Sequence, residues 1–221
     1  SQNLDFQNTV RAISSRIHLA TEAEDIGARV DHDNSGVASA AAFHPSGVYL
    51  FVSLETSRQV AVVDAFGKRE LFRVEAGLAP QAVAVSGDGH TLYVHNVLGR
   101  SVNAYDLSPL INEGSRSLPL LAQLSSVAVE KLSPEVLRGK QHFYDARDTR
   151  LSRDAYLSCA SCHNDGGQDG RDVPPEAGAG LQNGRSLGVE RQDSDVALLS
   201  NDDRAGDGGA RRVGRRRAEC R

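Results

Sequence analysis

At 221 residues, with 39% hydrophobic and 24% charged side chains, the chain has the make-up of a globular protein of one large or two small domains. Its net charge of −4 hides an asymmetry: residues 204–221 carry seven Arg against Asp207 and Glu219, which leaves 18 basic and 27 acidic side chains in residues 1–203, a balance of −9. An acidic body gives no footing for a nucleic-acid partner, and no apolar run approaches the ~20 residues of a membrane-spanning helix. Aromatic residues are only 5% and Trp is absent, so any core rests on Val, Leu, Ala and Ile. Met is missing even at position 1 and no signal peptide is visible at the start, so the sequence reads as a processed, excised or partial chain.

Taken from the N-terminus, the first half is repetitive. Residues 43–64 read FHPSGVYLFVSLETSRQVAVVD and residues 85–106 read VSGDGHTLYVHNVLGRSVNAYD, which align without a gap at a period of 42 residues. Gly47 matches Gly89, Leu50 matches Leu92, Val52 matches Val94, Arg58 matches Arg100, Val60 matches Val102 and Asp64 matches Asp106. In each unit a Gly-containing polar turn precedes a β-branched and aromatic run (48–54 and 91–94), then a second turn and an alternating strand (59–64 and 101–106). Residues 69–75 supply a further strand. Short strands and polar turns at this spacing predict antiparallel hairpins, about four strands to a unit, the pattern of a β-propeller blade. Arg16 falls 42 residues before Arg58 and residues 16–22 alternate weakly, which suggests a decayed third copy upstream. Residues 1–107 therefore read as a partial propeller of two to three blades. A closed propeller takes 4–8 blades, so this chain is either a fragment or an open stack. The segments HTLYVHN and GLAPQAVAVSGDG resemble the YVTN-type propeller repeat, a likeness that implies fold and leaves function open.

Residues 108–132, with Pro109, Gly114 and Pro119, read as a linker with one apolar stretch over 118–124. Ser133-Pro134 then has the form of a helix start, N-cap followed by first helical position, with Glu135 in the first turn. Val136, Leu137, Phe143 and Tyr144 recur at helical spacing, and the helix is expected to end near residues 145–148 and to pack on a haem plane or a small core.

Cys159-Ala160-Ser161-Cys162-His163 fits C-x-x-C-H, the attachment signature of c-type haem. Two thiols three positions apart reach the two vinyl groups on one porphyrin edge, and the adjacent His163 is placed as proximal ligand of the iron. Ala160 and Ser161 are small enough not to crowd that edge. Other readings stand beside this one. Structural zinc needs four N/S ligands, and only Cys220 remains as a further thiol. A thioredoxin-like pair needs a βαβ context that is not seen. A chance match in a loop is the bland alternative.

Residues 138–171, through Gly139-Lys140, Phe143, Asp145, Arg150-Leu151-Ser152 and Ser158 to His163, resemble the N-terminal haem segment of the bacterial di-haem cytochrome c peroxidase and methylamine-utilisation superfamily. The resemblance implies a cytochrome c-like helical segment over 133–172, a single covalent haem c, and redox work in a periplasmic or other extracytoplasmic compartment, with a redox protein or a small electron donor or acceptor as partner. The superfamily carries two C-x-x-C-H motifs and this chain one. An electron carrier with the blades as scaffold is thus the first reading, a fragment of a peroxidase-like oxidoreductase the second, and a propeller binding module with a vestigial haem site the third.

With no Met, a His/Met haem is impossible within this chain. Among the other six histidines, His142 on the helix before the motif is the distal candidate, or else a partly exposed helix residue. His44, His90 and His95 belong to the blades, and His18 and His32 to the ambiguous start. Asp165, Asp169 and Asp172 read as solvated loop residues rather than a calcium site. Residues 173–221, rich in Gly, Asp and Arg and containing Cys220, read as a disordered or degenerate tail.

Overall fold

The computed structural model describes residues 11–163 and 166–167. Strands β1 (Ile13–His18) and β2 (Ala23–Asp31) form an antiparallel hairpin. Strands β3 (Ala38–Phe43), β4 (Tyr49–Leu54), β5 (Gln59–Asp64) and β6 (Arg69–Glu75) form a four-stranded antiparallel sheet in sequence order, hereafter blade 1. Strands β7 (Pro80–Val85), β8 (Thr91–Asn96), β9 (Ser101–Asp106) and β10 (Leu120–Ser125) repeat that order as blade 2, with a short helix α1 (Ser108–Glu113) between β9 and β10.

The 42-residue period extends to the backbone. β3 and β7, β4 and β8, and β5 and β9 each begin one period apart. The paired positions Val37 and Ala79, Gly47 and Gly89, and Arg58 and Arg100 all have left-handed φ values, from 42° to 79°. Glycine adopts this region freely, but at β-branched Val37 it costs ~1–3 kcal/mol. It is held there by the Glu55 N–H, which donates to the Val37 carbonyl at 2.8 Å, as the Val97 N–H does to Ala79 at 2.9 Å.

Strand alternation sorts the side chains into layers. Phe51, Val60 and Val62 face one side of blade 1 and pack against Leu92, Val94, Tyr105, Leu107, Leu110 and Leu118 of blade 2. Val52, Leu54, Ala61 and Val63 face the other side and pack against Ala12 and Val30 of the hairpin region. Blade 1 is therefore the middle layer of a three-layer stack. Polar contacts pin the layers. Ser46 N–H donates to His44 Nδ1 at 3.1 Å, which leaves Nε2 protonated to donate to the blade 2 carbonyl of Gly89 at 3.0 Å. Tyr105 Oη donates to the Glu75 carbonyl at 2.7 Å. Buried His32 sits with Nδ1 2.7 Å from Glu70 Oε2 and Nε2 3.2 Å from Ser14 Oγ, tying hairpin to blade 1.

The fold is thus mainly β, a partial β-propeller of two blades and a two-stranded unit, followed by two short helices: α2 (Pro134–Phe143) and α3 (Cys159–Cys162). Among the described residues no helix is long and apolar enough to cross a membrane.

The structure differs from the sequence expectation in four places. Residues 108–132 are more than a linker: they contain α1 and β10, the fourth strand of blade 2. β10 begins at Leu120, where the repeat would place Ile111, because α1 is inserted ahead of it. All six β10 side chains are exposed, so main-chain pairing with β9 rather than a burial pattern defines the strand. The upstream copy is present as the β1–β2 hairpin, but Arg16 lies inside β1 and not in a turn like Arg58 and Arg100. Helix α2 starts as expected, with Val136 N–H donating to Ser133 Oγ, yet stops at Phe143. Asp145 and Ala146 leave the helical path because both are buried against blade 1. The apolar face of α2 is only partly covered: Leu137 and Phe143 are half-buried and none of its residues is fully buried. Asp165, Asp169, Asp172, the tail over 173–221 and Cys220 lie outside the described residues.

Candidate functional site

The cysteine motif forms one helical turn. Ser161 N–H donates to the Ser158 carbonyl and Ser158 N–H donates back to Ser161 Oγ, each at 3.0 Å, closing the start of α3. His163 N–H donates to the Cys159 carbonyl at 2.9 Å, so the histidine backbone is fixed one turn above the first thiol. Cys159 and Cys162 are free thiols, both exposed, and at i and i+3 they share one side of the turn. Ala160 is buried on the opposite side. Its small size serves packing against the protein, and Ser161 Oγ serves the helix start.

The His163 ring is exposed, and its Nδ1 lies 3.0 Å from the Gly167 carbonyl. A carbonyl only accepts, so Nδ1 carries the proton and Nε2 keeps its lone pair outward. The Gly166 N–H donates to the His163 carbonyl at 3.0 Å, and Gly166 has φ 75°, which turns the chain back and brings the Gly167 carbonyl to the ring.

The motif is positioned by contacts with blade turns. The Ala146 N–H donates to the Thr56 carbonyl at 2.9 Å, and Gln141 Nε2 donates to the Leu98 carbonyl at 2.9 Å. Arg58 pairs with buried Asp145, and Arg147 with Glu75. Gly36, before β3, is the tightest point of approach. A Cβ there would lie 2.2 Å from Thr56 Oγ1, 2.9 Å from the Tyr156 carbonyl and 3.0 Å from Ser161 Oγ. Sequence reasoning missed Gly36, Thr56, Asp145 and Ala146 as a docking set. Arg58 carried a signal through its match to Arg100, and Asp145 through the haem-segment resemblance, but neither pointed to this pairing.

His142, the distal candidate, is half-buried on α2 with Nδ1 3.2 Å from Asp148 Oδ2. It lines an open cleft of about 310 Å³ with Arg58, Leu78, Asp148 and Arg150, and neither Cys159, Cys162 nor His163 borders that cleft. Hydrogen bonds from Arg150 hold the Asp148 carboxyl far below the usual carboxylate range. His32 and His44 are absorbed in the layer junctions already described, and His90 Nδ1 lies 3.4 Å from Ser108 Oγ. Among the described residues, no group of three or more His, Cys, Asp or Glu side chains converges as a metal-ion site. The donor set that does stand together, two exposed thiols on one turn and an imidazole with a free Nε2, matches in kind what a c-type haem requires: two thioether links and one axial nitrogen.

No protein-family model matches the chain, and no curated protein matches it either. Among solved structures, hydrazine synthase of Kuenenia stuttgartiensis is similar at 22% identity and TM-score 0.41, over 50% of this chain and 29% of its own. The β-propeller domain of Cps50 (Swd1) from Myceliophteria thermophila is similar at 17% identity and TM-score 0.38, over 42% and 28%. Dihydro-heme d1 dehydrogenase NirN is similar at 20% identity and TM-score 0.39, over 51% and 22%. The chain spans less than a third of each of these proteins.

Proposed function

We propose that this chain holds one haem c covalently through Cys159 and Cys162, with His163 as proximal ligand of the iron, and serves electron transfer in a bacterial extracytoplasmic compartment. The observation that carries the reading is the His163 Nδ1 to Gly167 carbonyl hydrogen bond, which fixes the tautomer and leaves Nε2 as a ligand nitrogen. The thiols stand exposed on one side of a turn whose other side is packed, so both sulfurs are open to one ligand edge. When bound, the haem supplies a one-electron iron couple.

The chain's own residues do the positioning. Gly167 orients the imidazole through its carbonyl. Ser158 and Ser161 hold the turn, and Gly36, Thr56 and Ala146 seat it on blade 1, so the blades act as scaffold. A redox protein or a small electron donor or acceptor is the partner, reaching the segment from its exposed side.

Maturation in a host able to attach c-type haem, followed by a reduced pyridine-haem spectrum, tests the proposal. The expected result is a haem c spectrum that survives acid–acetone extraction and is lost in Cys159→Ala/Cys162→Ala. A wild-type protein without such a spectrum overturns it. Peroxide turnover by the loaded chain would replace the carrier reading with the peroxidase-like one.

A further inference from the structure

Ser14, His32 and Glu70 form one chain of contacts across the junction between the hairpin and blade 1. Ser14 Oγ lies 3.2 Å from His32 Nε2, and His32 Nδ1 lies 2.7 Å from Glu70 Oε2. Arg73 donates to the Glu70 carboxyl through Nε at 2.6 Å and through a terminal nitrogen at 3.2 Å, so the group is a carboxylate and accepts from His32. Nδ1 therefore carries the proton. In the neutral ring Nε2 keeps its lone pair and accepts the Ser14 O–H. A hydroxyl bonded to an imidazole that a third group orients is the arrangement of an activated nucleophile.

Two breaks in strand register build this contact chain. In β6, Phe72 pairs with Val62 but Glu70 pairs with Val63, so Leu71 is an extra residue. Leu71 and Phe72, although consecutive, both pack toward blade 2, and Glu70 moves to the hairpin side beside Val63. Without the bulge its carboxylate would point into the core between the blades. In the hairpin, Ser14 pairs with Val30 and Arg16 with Asp25, so residues 26–29 lie opposite Ser15 alone and have no ladder partner. The ladder thus opens beside Ser14, which is half-buried, while His32 is buried behind it. Bulges cluster at sites where a side chain must be re-aimed. A buried ion pair adds little net stability over an apolar one, so packing alone gives no reason for this one.

We infer that Ser14, His32 and Glu70 form a second site, one that hydrolyses small carboxylic esters, with Ser14 as nucleophile, His32 as general base and Glu70 as the positioning carboxylate. Ser14 Oγ bonds to the ester carbonyl carbon as its proton passes to His32 Nε2. Collapse of the tetrahedral adduct breaks the C–O bond to the alcohol, which leaves with that proton. Water then adds to the acyl-serine by the same route, its proton passing to His32 and on to Ser14 Oγ as the carboxylic acid departs. The unpaired amides of residues 26–29 supply the donors that a developing oxyanion needs. The half-buried position of Ser14 limits the acyl group to a small one. The site uses no residue of the cysteine motif and is independent of the haem reading.

The test treats the full chain with a fluorophosphonate probe and, separately, with p-nitrophenyl acetate, and checks the folding of each variant by circular dichroism. The expected result is one label, on the peptide that contains Ser14, together with ester turnover. Both are lost in Ser14→Ala and kept in Ser15→Ala, whose hydroxyl is engaged by Glu24 instead. Glu70→Gln keeps the side-chain size and is expected to lower kcat at least ~10-fold with KM unchanged, because a neutral amide no longer fixes the His32 tautomer. A merely structural Glu70 would not produce that split. A chain that takes up no label, a label on a residue other than Ser14, equal ester turnover in wild type and Ser14→Ala, or a wild-type kcat in Glu70→Gln overturns the inference.

Discussion

Blade 1 and the helical segment that lies across the blade turns are held by different forces. Blade 1 buries both faces of its sheet, and Phe51, Leu54, Ala61 and Val62 are wholly sequestered. The segment from α2 to α3 buries none of α2 and, beyond it, only Asp145, Ala146, Ser152 and Ala160. Its placement rests on the Arg58–Asp145 and Arg147–Glu75 pairs, two hydrogen bonds to blade carbonyls and the close approach at Gly36. Burial is spread over many side chains and fails as a whole. A few directional contacts fail one at a time, and locally. The cysteine motif therefore sits on the part of the molecule that can move without unfolding the rest.

Substitutions on the two sides of this divide are expected to behave differently. Phe51→Ala opens a cavity between the blades and is expected to cost about 3–5 kcal/mol, read as a lower denaturant midpoint for the whole stack. Asp145→Ala strips the partner from Arg58, whose Nε is already buried without a hydrogen bond. It is expected to cost about 2–3 kcal/mol, softened by the partial exposure of Arg58. The signature is local: faster hydrogen exchange over 134–163, with blade amides still protected. Gly36→Ala forces Thr56 and Ser161 apart and is expected to cost about 1–3 kcal/mol. A drop in haem loading at unchanged blade protection would report it.

The smallest effect concerns pH at the hairpin junction. Burial acts to raise the Glu70 carboxyl, but hydrogen bonds from His32 and Arg73 outweigh it and leave the group below its usual range. A depressed folded value contributes stability above the unfolded value of ~4.3 and loses it as pH falls through the folded one. The denaturant midpoint is therefore expected to fall below about pH 4.3, and Glu70→Gln to flatten that part of the profile. An unchanged profile in the variant would remove Glu70 from the account.

The same divide explains what could be read from residues alone. β5, β6 and β9 are legible to the residue, because alternation and a Gly turn each period apart leave few alternatives. β10 was hidden because its side chains, Leu120 to Ser125, face solvent and only its backbone is used. The helix start at Ser133-Pro134 and the cysteine turn follow from local chemistry. The docking of that turn does not, because it depends on Gly36 and Thr56, more than a hundred residues upstream and unmarked by any motif. The orientation of His163 depends in turn on a Gly167 carbonyl that no side-chain pattern reveals.

Intact-protein and peptide mass spectrometry of chain matured with haem-attaching machinery tests the central assignment most directly. The account predicts one haem added per chain, carried on the peptide that contains both Cys159 and Cys162. Unmodified thiols at both positions, or a haem that leaves on denaturation, would contradict it.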